Sequence, residues 1–186
     1  ARLYGCASGD SCIYAWDPKS WHKVKVAEGT ASNDLAILRD GTIFYTEPGT
    51  KRVWRLAART FARELGVTLA WAPNGIALSP DQTLLYVADY RSHWVYSYVI
   101  QPDGTLAHKQ RYFHLHTRDE DDESFADGLK VDHDGNLYVA TRLGIQICDQ
   151  AGRVNAIIPT PNGRITNLVF GGENFDTLYA SCNDQV

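Results

Sequence analysis

The stretch Pro73-Asn74-Gly75-Ile76, followed nine residues later by Leu85-Tyr86-Val87-Ala88, decides how this sequence folds. The first part sets a carboxamide and a glycine before an aliphatic residue, and the second is an apolar and aromatic run typical of a strand. The same succession recurs at Ser32-Asn33-Asp34-Leu35, at Ala126-Asp127-Gly128-Leu129 and, shortened, at Thr166-Asn167-Leu168. The chain is therefore built from one unit that is used several times.

The spacing of the repeats is nearly constant. The intervals between their second strands are 40, 42, 52 and 41 residues, counted from Leu3, Ile43, Leu85, Leu137 and Leu178. The long interval contains the acidic run of residues 119–123 and predicts a solvated loop inserted before the third complete repeat. Asp40-Gly41 and Asp134-Gly135 predict hairpin turns, because glycine readily adopts positive φ. The segment 56–65 is compatible with a helix or a strand.

Four short antiparallel strands in about 42 residues are typical of one blade of a β-propeller. We therefore predict an all-β fold in which residues 1–186 form a single propeller domain, with four complete blades and part of a fifth. A ring of six such blades needs about 250 to 300 residues, so we expect the N-terminal blade or blades to be missing. An open arc leaves blade faces uncovered, and missing blades or a second chain would be needed to close the ring.

The overall composition excludes several classes of protein. With 44% hydrophobic and 22% charged residues, the chain falls in the globular range. A formal net charge of −4, with no basic cluster longer than Lys51-Arg52, excludes a field that attracts nucleic acid. No apolar run approaches the roughly 18 residues that cross a membrane, and the first residues do not resemble a signal peptide. We expect a soluble protein and favour the cytoplasm, although the chain carries no address.

Cysteine and histidine give weaker signals than the repeat. The four cysteines lack metal-ligand spacing, which favours buried thiols, with a disulfide between Cys6 and Cys12 as the alternative. His114 and His116 alternate on a predicted strand, with Tyr112 on the same face. The two histidines could share a metal, but surface histidines are the favoured interpretation. The Gly-x-Ser-x-Gly motif of serine hydrolases does not occur in the sequence.

One position of the repeat is polar in every copy. The residue just before the first strand is Asn33, Asn74 and Asp127 in turn, followed by either Thr166 or Asn167. The innermost strands of a propeller surround its channel, so these equivalent residues are expected to converge. Carboxamide and carboxylate oxygens, without thiolate or imidazole, suit a hard divalent cation. The alternative is that these residues serve only to form turns, which Asn-Gly, Asp-Gly and Asn-Asp pairs favour.

Five ordered stretches carry a resemblance to a known family. They are residues 3–6, 32–35 with 40–48, 73–81, 126–129 and 169–172. They resemble the signatures of the gluconolactonase and regucalcin family, which includes senescence marker protein and luciferin-regenerating enzyme, and the resemblance covers nearly the whole chain. It implies a six-bladed propeller of the lactonase type. It also implies a divalent-metal-dependent hydrolase of sugar lactones or related small lactones and esters.

The resemblance also implies roles for individual residues. Asn74 and Asp127 match the asparagine and aspartate that hold the catalytic cation, with Ca²⁺ favoured and Zn²⁺, Mg²⁺ or Mn²⁺ as alternatives. Asn33 matches an asparagine that contacts the substrate or a metal-bound water, and Asp34 is expected to orient the loop. A third ligand, a glutamate of the first blade, is expected upstream of the chain. Animal lactonases carry an arginine where this chain has Ala31, so the substrate contacts are expected to differ.

The expected reaction is hydrolysis of a small-molecule lactone. The metal would polarise the ester carbonyl, and Asp127 would orient or deprotonate the attacking water. The alternative function is a non-enzymatic propeller that binds a small ligand or a protein, with at most a structural calcium. The two functions differ in whether the cation keeps an open position for water or substrate. Neither involves nucleic acid or a membrane.

Overall fold

The computed structural model of the protein describes residues 2–160 and 165–182. In these ranges seventeen strands form five sheets, and every sheet follows the order of the chain. The sheet of the first repeat contains β1 (Leu3–Ala7), β2 (Cys12–Trp16) and β3 (Lys23–Glu28). The second contains β4 (Leu35–Ile37), β5 (Ile43–Glu47), β6 (Arg52–Leu56) and β7 (Arg63–Thr68).

The remaining strands repeat this pattern. The third sheet contains β8 (Pro73–Leu78), β9 (Leu84–Asp89), β10 (Trp94–Ile100) and β11 (Leu106–His114). The fourth contains β12 (Leu129–Val131), β13 (Leu137–Thr141), β14 (Gly144–Cys148) and β15 (Val154–Ile158), and the last pairs β16 (Asn167–Gly171) with β17 (Thr177–Ser181). The predicted all-β fold is confirmed, and within the described ranges the helical residues are the two short 3-10 turns Ser8–Asp10 and Pro48–Thr50.

The predicted hairpin turns join the first two strands of their sheets. Gly41 and Gly135 have φ angles of 95° and 85°, and their amides donate to the carbonyl oxygens of Leu38 and Asp132 at 2.9 and 3.2 Å. The ambiguous segment 56–65 forms no helix. It continues β6, turns through residues with positive φ that include Arg59 at 67°, and enters β7.

The sheets divide between two compact units, residues 1–73 and residues 74–186. In the first unit the core lies among β2, β3, β5 and β6, and its buried members are Ile13, Ala15, Val26, Ile43, Tyr45 and Leu56. In the second unit β13 shows how the sheets pack, because its successive side chains point to opposite faces. Leu137 and Val139 join the core shared with β9 and β11, whereas Ala140 joins a cluster with Leu168 of β16. A central sheet is thus apolar on both faces.

Two glycines lie where the first strands of neighbouring sheets approach closely in the second unit. A Cβ atom on Gly75 would collide with the backbone oxygen of Asp127 and would lie 3.1 Å from the Cα of Gly128. A Cβ atom on Gly128 would in turn lie 2.8 Å from the Cα of Asn167. Neither glycine is required for a positive φ, so the requirement is steric. The starts of β8, β12 and β16 are therefore in backbone contact, and a methyl group would separate them.

The inserted loop runs from Leu115 to Asp127 and contains the acidic residues 119–123, none of which lies in a strand. Asp121 accepts a hydrogen bond from Arg142 at 3.0 Å, and Glu123 accepts one from Arg91 at 3.3 Å. The expectation of a loop is correct, and two arginines from neighbouring turns attach it to the sheets.

The cysteines are all free thiols, so the alternative of a disulfide between Cys6 and Cys12 is wrong. Burial raises the pKa of Cys6 to about 11 and that of Cys148 to about 12. Across residues 2–160 and 165–182, no helix has the length and apolar character needed to span a membrane.

We expect Gly75→Ala to lower the free energy of unfolding by about 1–3 kcal/mol, because backbone atoms cannot move aside as a flexible side chain can. Gly49→Ala is the matched control, since no atom lies within 4 Å of its added Cβ and its φ is ordinary. Urea unfolding of both variants measures the difference. Equal stabilities would contradict the close approach of β8 to β12.

We also expect iodoacetamide to alkylate Cys6 and Cys148 slowly in the folded protein at pH 8, because the reactive thiolate forms only near their raised pKa values of about 11 and 12. In urea the pKa of each thiol returns towards 9.0, and alkylation should accelerate. Peptide mass spectrometry at timed intervals gives both rates. Rapid labelling of Cys148 without denaturant would show that its burial is wrong.

Candidate active site

The predicted site residues Asn33, Asn74 and Asp127 occupy equivalent positions in three sheets. Each lies at the end of its sheet opposite the turn that joins the first two strands. The amide of Asn33 donates to the carbonyl oxygen of Thr46 at 2.8 Å, and the amide of Asp127 donates to that of Ala140 at 2.9 Å. Asn74 is the second residue of β8, and like Asp127 it lies five residues before the residue whose amide opens the hairpin turn. The side chain of Asn33 is exposed, whereas Asn74 and Asp127 are half-buried.

The backbone register also decides which residue of the last repeat is equivalent to Asp127. The amide of Thr166 donates to the carbonyl oxygen of Ser181 at 3.0 Å, as the amide of Asp127 does to Ala140. Asn167 instead occupies the position of Asp34. Both of these side chains accept the amide of the next residue at 2.8 Å through Oδ1. Thr166 therefore completes the series, and Asp34 orients its own loop as expected.

The backbones of Asn74 and Asp127 are brought close at Gly75, the residue after Asn74. Because Gly75 contacts the backbone of Asp127, the two residues begin neighbouring strands with no side chain between their backbones. Asn33 belongs to the other compact unit, which consists of residues 1–73.

The donor chemistry of this pair fits a hard divalent cation. Asn74 offers a carboxamide oxygen and Asp127 a carboxylate, and such cations accept both. Among residues 2–160 and 165–182, no three His, Cys, Asp or Glu side chains are grouped to hold a metal ion. A cation bound between β8 and β12 would therefore depend on the carboxamide as well as on the carboxylate.

The segment that leads to Asp127 is held at both of its ends. The amide and the hydroxyl of Ser124 both donate to the carbonyl oxygen of Ser92, at 3.0 and 2.6 Å. The fully buried carboxamide of Gln146 exchanges two hydrogen bonds of 2.8 Å with the backbone of His116. Asp127 is thus presented by a loop whose attachment points are fixed.

The segment that leads to Asn33 is held by a buried acid that the sequence did not reveal as important. Glu47 is 6% exposed. Its Oε1 accepts hydrogen bonds from the hydroxyl of Thr30 at 2.6 Å and from the amide of Ala31 at 3.1 Å. Its Oε2 accepts hydrogen bonds from the hydroxyl of Thr50 at 2.5 Å and from the indole of Trp54 at 2.9 Å.

The four donors keep Glu47 ionised. Burial opposes the charged form, but the hydrogen bonds from Thr30, Thr50, Trp54 and the amide of Ala31 outweigh it and lower the pKa of the carboxyl below its ordinary value. A buried charge with every lone pair engaged favours one arrangement of its neighbours. The missed signal is a long-range one, since Thr30 lies 17 residues before Glu47.

The histidines lie at the end of β11 and just after it, and not at the polar position that precedes the first strands. His114 and His116 are exposed, as expected of surface residues. His114 lies with its ring centroid 4.6 Å from those of His93 and Trp94. Burial, followed by the nearby His93 and His116, lowers the pKa of His114. The contact with His93, which seemed isolated in the sequence, joins two strands at the edge of the sheet.

Comparison with known proteins gives consistent relatives. The gluconolactonase of Zymomonas mobilis is 27% identical over 213 residues, which takes in 100% of this chain and 59% of that protein. The solved structure of a gluconolactonase from Xanthomonas campestris superposes with a TM-score of 0.82 at 26% identity, over 97% of this chain and 65% of the other. This chain thus spans less than two thirds of the length of each.

A third comparison extends the likeness of fold. The structure described as a calcium-binding protein, regucalcin, from Agrobacterium tumefaciens has a TM-score of 0.76 at 17% identity, over 92% of this chain and 62% of that one. At this identity the likeness concerns the fold alone. The sequence profile described as "SMP-30/Gluconolactonase/LRE-like region" matches residues 64–183, which is more than half of the chain. The repeated sheets, the polar position at the start of their first strands and this match together identify the chain as a member of the SMP-30/gluconolactonase/LRE-like family.

Proposed function

We propose that this chain is part of a divalent-metal-dependent hydrolase that opens sugar lactones or related small lactones. The observation that carries the proposal is the contact between the starts of β8 and β12, which makes neighbours of a carboxamide, Asn74, and a carboxylate, Asp127. Gluconolactonases are among the relatives by sequence and by structure. This supports a lactone as the substrate class.

Asn74 and Asp127 are the proposed ligands of the cation. Calcium is favoured, because it accepts both kinds of oxygen and because one structural relative is described as a calcium-binding protein. Zn²⁺, Mg²⁺ and Mn²⁺ remain alternatives. When bound, such a cation supplies a Lewis acid that polarises the lactone carbonyl.

The reaction requires a positioned water and a group that takes its proton. The water oxygen adds to the carbonyl carbon, and the ring C–O bond breaks to leave a hydroxy acid. Asp127 is the proposed base, which receives the proton of the water and returns it to the departing ring oxygen. The fixed loop before Asp127 supports this role, because a base must stay within hydrogen-bond reach of its proton. Asn33, with an exposed carboxamide, is the proposed contact to the lactone oxygens.

The proposal includes the surroundings of the site. We take residues 1–186 to be part of one six-bladed propeller, with further blades or a second chain closing the ring. The sheets in chain order and the apolar character of both faces of β13 support this arrangement.

Asp127→Asn should lower kcat/KM for glucono-δ-lactone by about 100-fold or more, because the amide cannot accept the proton of the water. Asp134→Asn is the matched control: it removes the same charge from the exposed turn of the same hairpin and should change kcat/KM less than about twofold. Acid release, followed with a pH indicator, measures both.

A chelator tests the cation separately. EDTA should abolish hydrolysis, and excess Ca²⁺ should restore it to the wild-type protein but not to Asp127→Asn. Hydrolysis that survives both EDTA and Asp127→Asn would refute the proposed function. Calcium binding without hydrolysis of any aldonolactone would favour a binding module.

A further inference from the structure

We propose that Glu47 is a positioning residue that holds Asn33 for contact with the lactone. The inference rests on the function proposed above and adds to it a residue that determines how tightly the substrate is bound. Glu47 lies at the end of β5, and Asn33 lies just before β4, which pairs with β5. The two are parts of one compact unit.

The two carboxylate oxygens have different partners. Oε2 is bonded to Thr50 and Trp54, which lie in the turn after β5 and in β6. Oε1 is bonded to Thr30 and to the amide of Ala31, which lie in the segment that enters β4. The carboxylate therefore ties the entering segment to the body of its own sheet.

The chain is fixed at Asn33 itself and at Thr30, three residues before it. On one side the hydroxyl of Thr30 is bonded to Glu47, and its amide donates to the carbonyl oxygen of Ser11 at 3.1 Å. On the other side the amide of Asn33 itself is bonded to Thr46. Because only two residues lie between these fixed points, the Asn33 backbone has little freedom, although its side chain is exposed.

A carboxylate ends the second strand in two of the three four-stranded sheets, but of these two only Glu47 is bonded to the segment that enters its sheet. Asp89 and Thr141 are the last residues of β9 and β13, as Glu47 is of β5. Asp89 accepts the amide of Arg91 at 3.1 Å, and Thr141 donates to the carbonyl oxygen of Gly144 at 2.8 Å. Both of these bonds stay within the following turn, and Thr141 also accepts a hydrogen bond from Gln146 of β14 at 3.1 Å. The reach of Glu47 to an entering segment is thus linked to the sheet that carries Asn33.

Two isosteric substitutions separate positioning from stability. Thr30→Val and Thr50→Val each remove one hydroxyl donor from the Glu47 carboxylate, but only Thr30 belongs to the segment of Asn33. We expect Thr30→Val to raise KM for glucono-δ-lactone about tenfold while kcat stays within about twofold, because a small displacement weakens a binding contact. Thr50→Val should leave both constants within about twofold. The Ca²⁺ affinity should stay unchanged in both.

A double-mutant cycle shows whether the effect passes through Asn33. Asn33→Ala alone should raise KM, and adding Thr30→Val to it should raise KM no further, because the contact to be positioned is gone. Effects that multiply, or equal effects of Thr30→Val and Thr50→Val, would overturn the proposal. So would a fall in kcat without a change in KM.

Hydrogen exchange provides a measurement that does not depend on activity. The amides of Ala31 and Asn33 should exchange at least about tenfold faster in Thr30→Val than in Thr50→Val, while the amide of Asp127 stays protected in both. Wild-type protein that hydrolyses no lactone would refute the proposed function, whereas unchanged exchange at Asn33 in an active enzyme would refute the positioning role alone. Equal exchange in the two variants overturns the inference whatever the activity.

Discussion

Direct backbone contact between the first strands of neighbouring sheets, at the points where these strands start, is the constraint on which the candidate site depends. Each of the last four sheets contributes one polar residue at this position, and the distance between two such residues is set by how closely their strands can approach. Gly75 and Gly128 permit an approach that any side chain would prevent. The glycines therefore determine the geometry of the candidate site, although they offer no side-chain ligand. Gly75 sets how closely the strand of the carboxamide, Asn74, can lie to the backbone of Asp127, and Gly128 does the same for Asp127 and the last sheet.

The loops that enter these strands are held by buried polar side chains as well as by apolar residues such as Leu115 and Ala126, which join the core. Gln146 engages the backbone of His116, and Glu47 engages that of Ala31, each over a long sequence separation. Hydrogen bonds are directional, so they fix the orientation of a segment as well as its position. Apolar packing lies between the sheets, where direction matters less.

The parts of this arrangement that could be predicted from sequence are those with local causes. Alternating apolar residues and Asp-Gly pairs predicted strands and turns, and both were confirmed around Gly41 and Gly135. The choice between Thr166 and Asn167 required the hydrogen-bond ladder, because neighbouring polar residues look alike without it. The role of Glu47 depends on partners that only folding brings near. The segment 56–65 was ambiguous because its turn uses positive φ at Arg59 and Phe61, residues that carry no glycine signal.

The acidic insertion before Asp127 has an electrostatic consequence for the proposed reaction. Arg142 and Arg91 neutralise only two of its five acids, so a negative field persists beside the loop. A lactone is neutral and crosses such a field freely, whereas the hydroxy acid formed from it carries a carboxylate that is repelled. For the reaction proposed above, this field would favour departure of the anionic product over that of the neutral substrate.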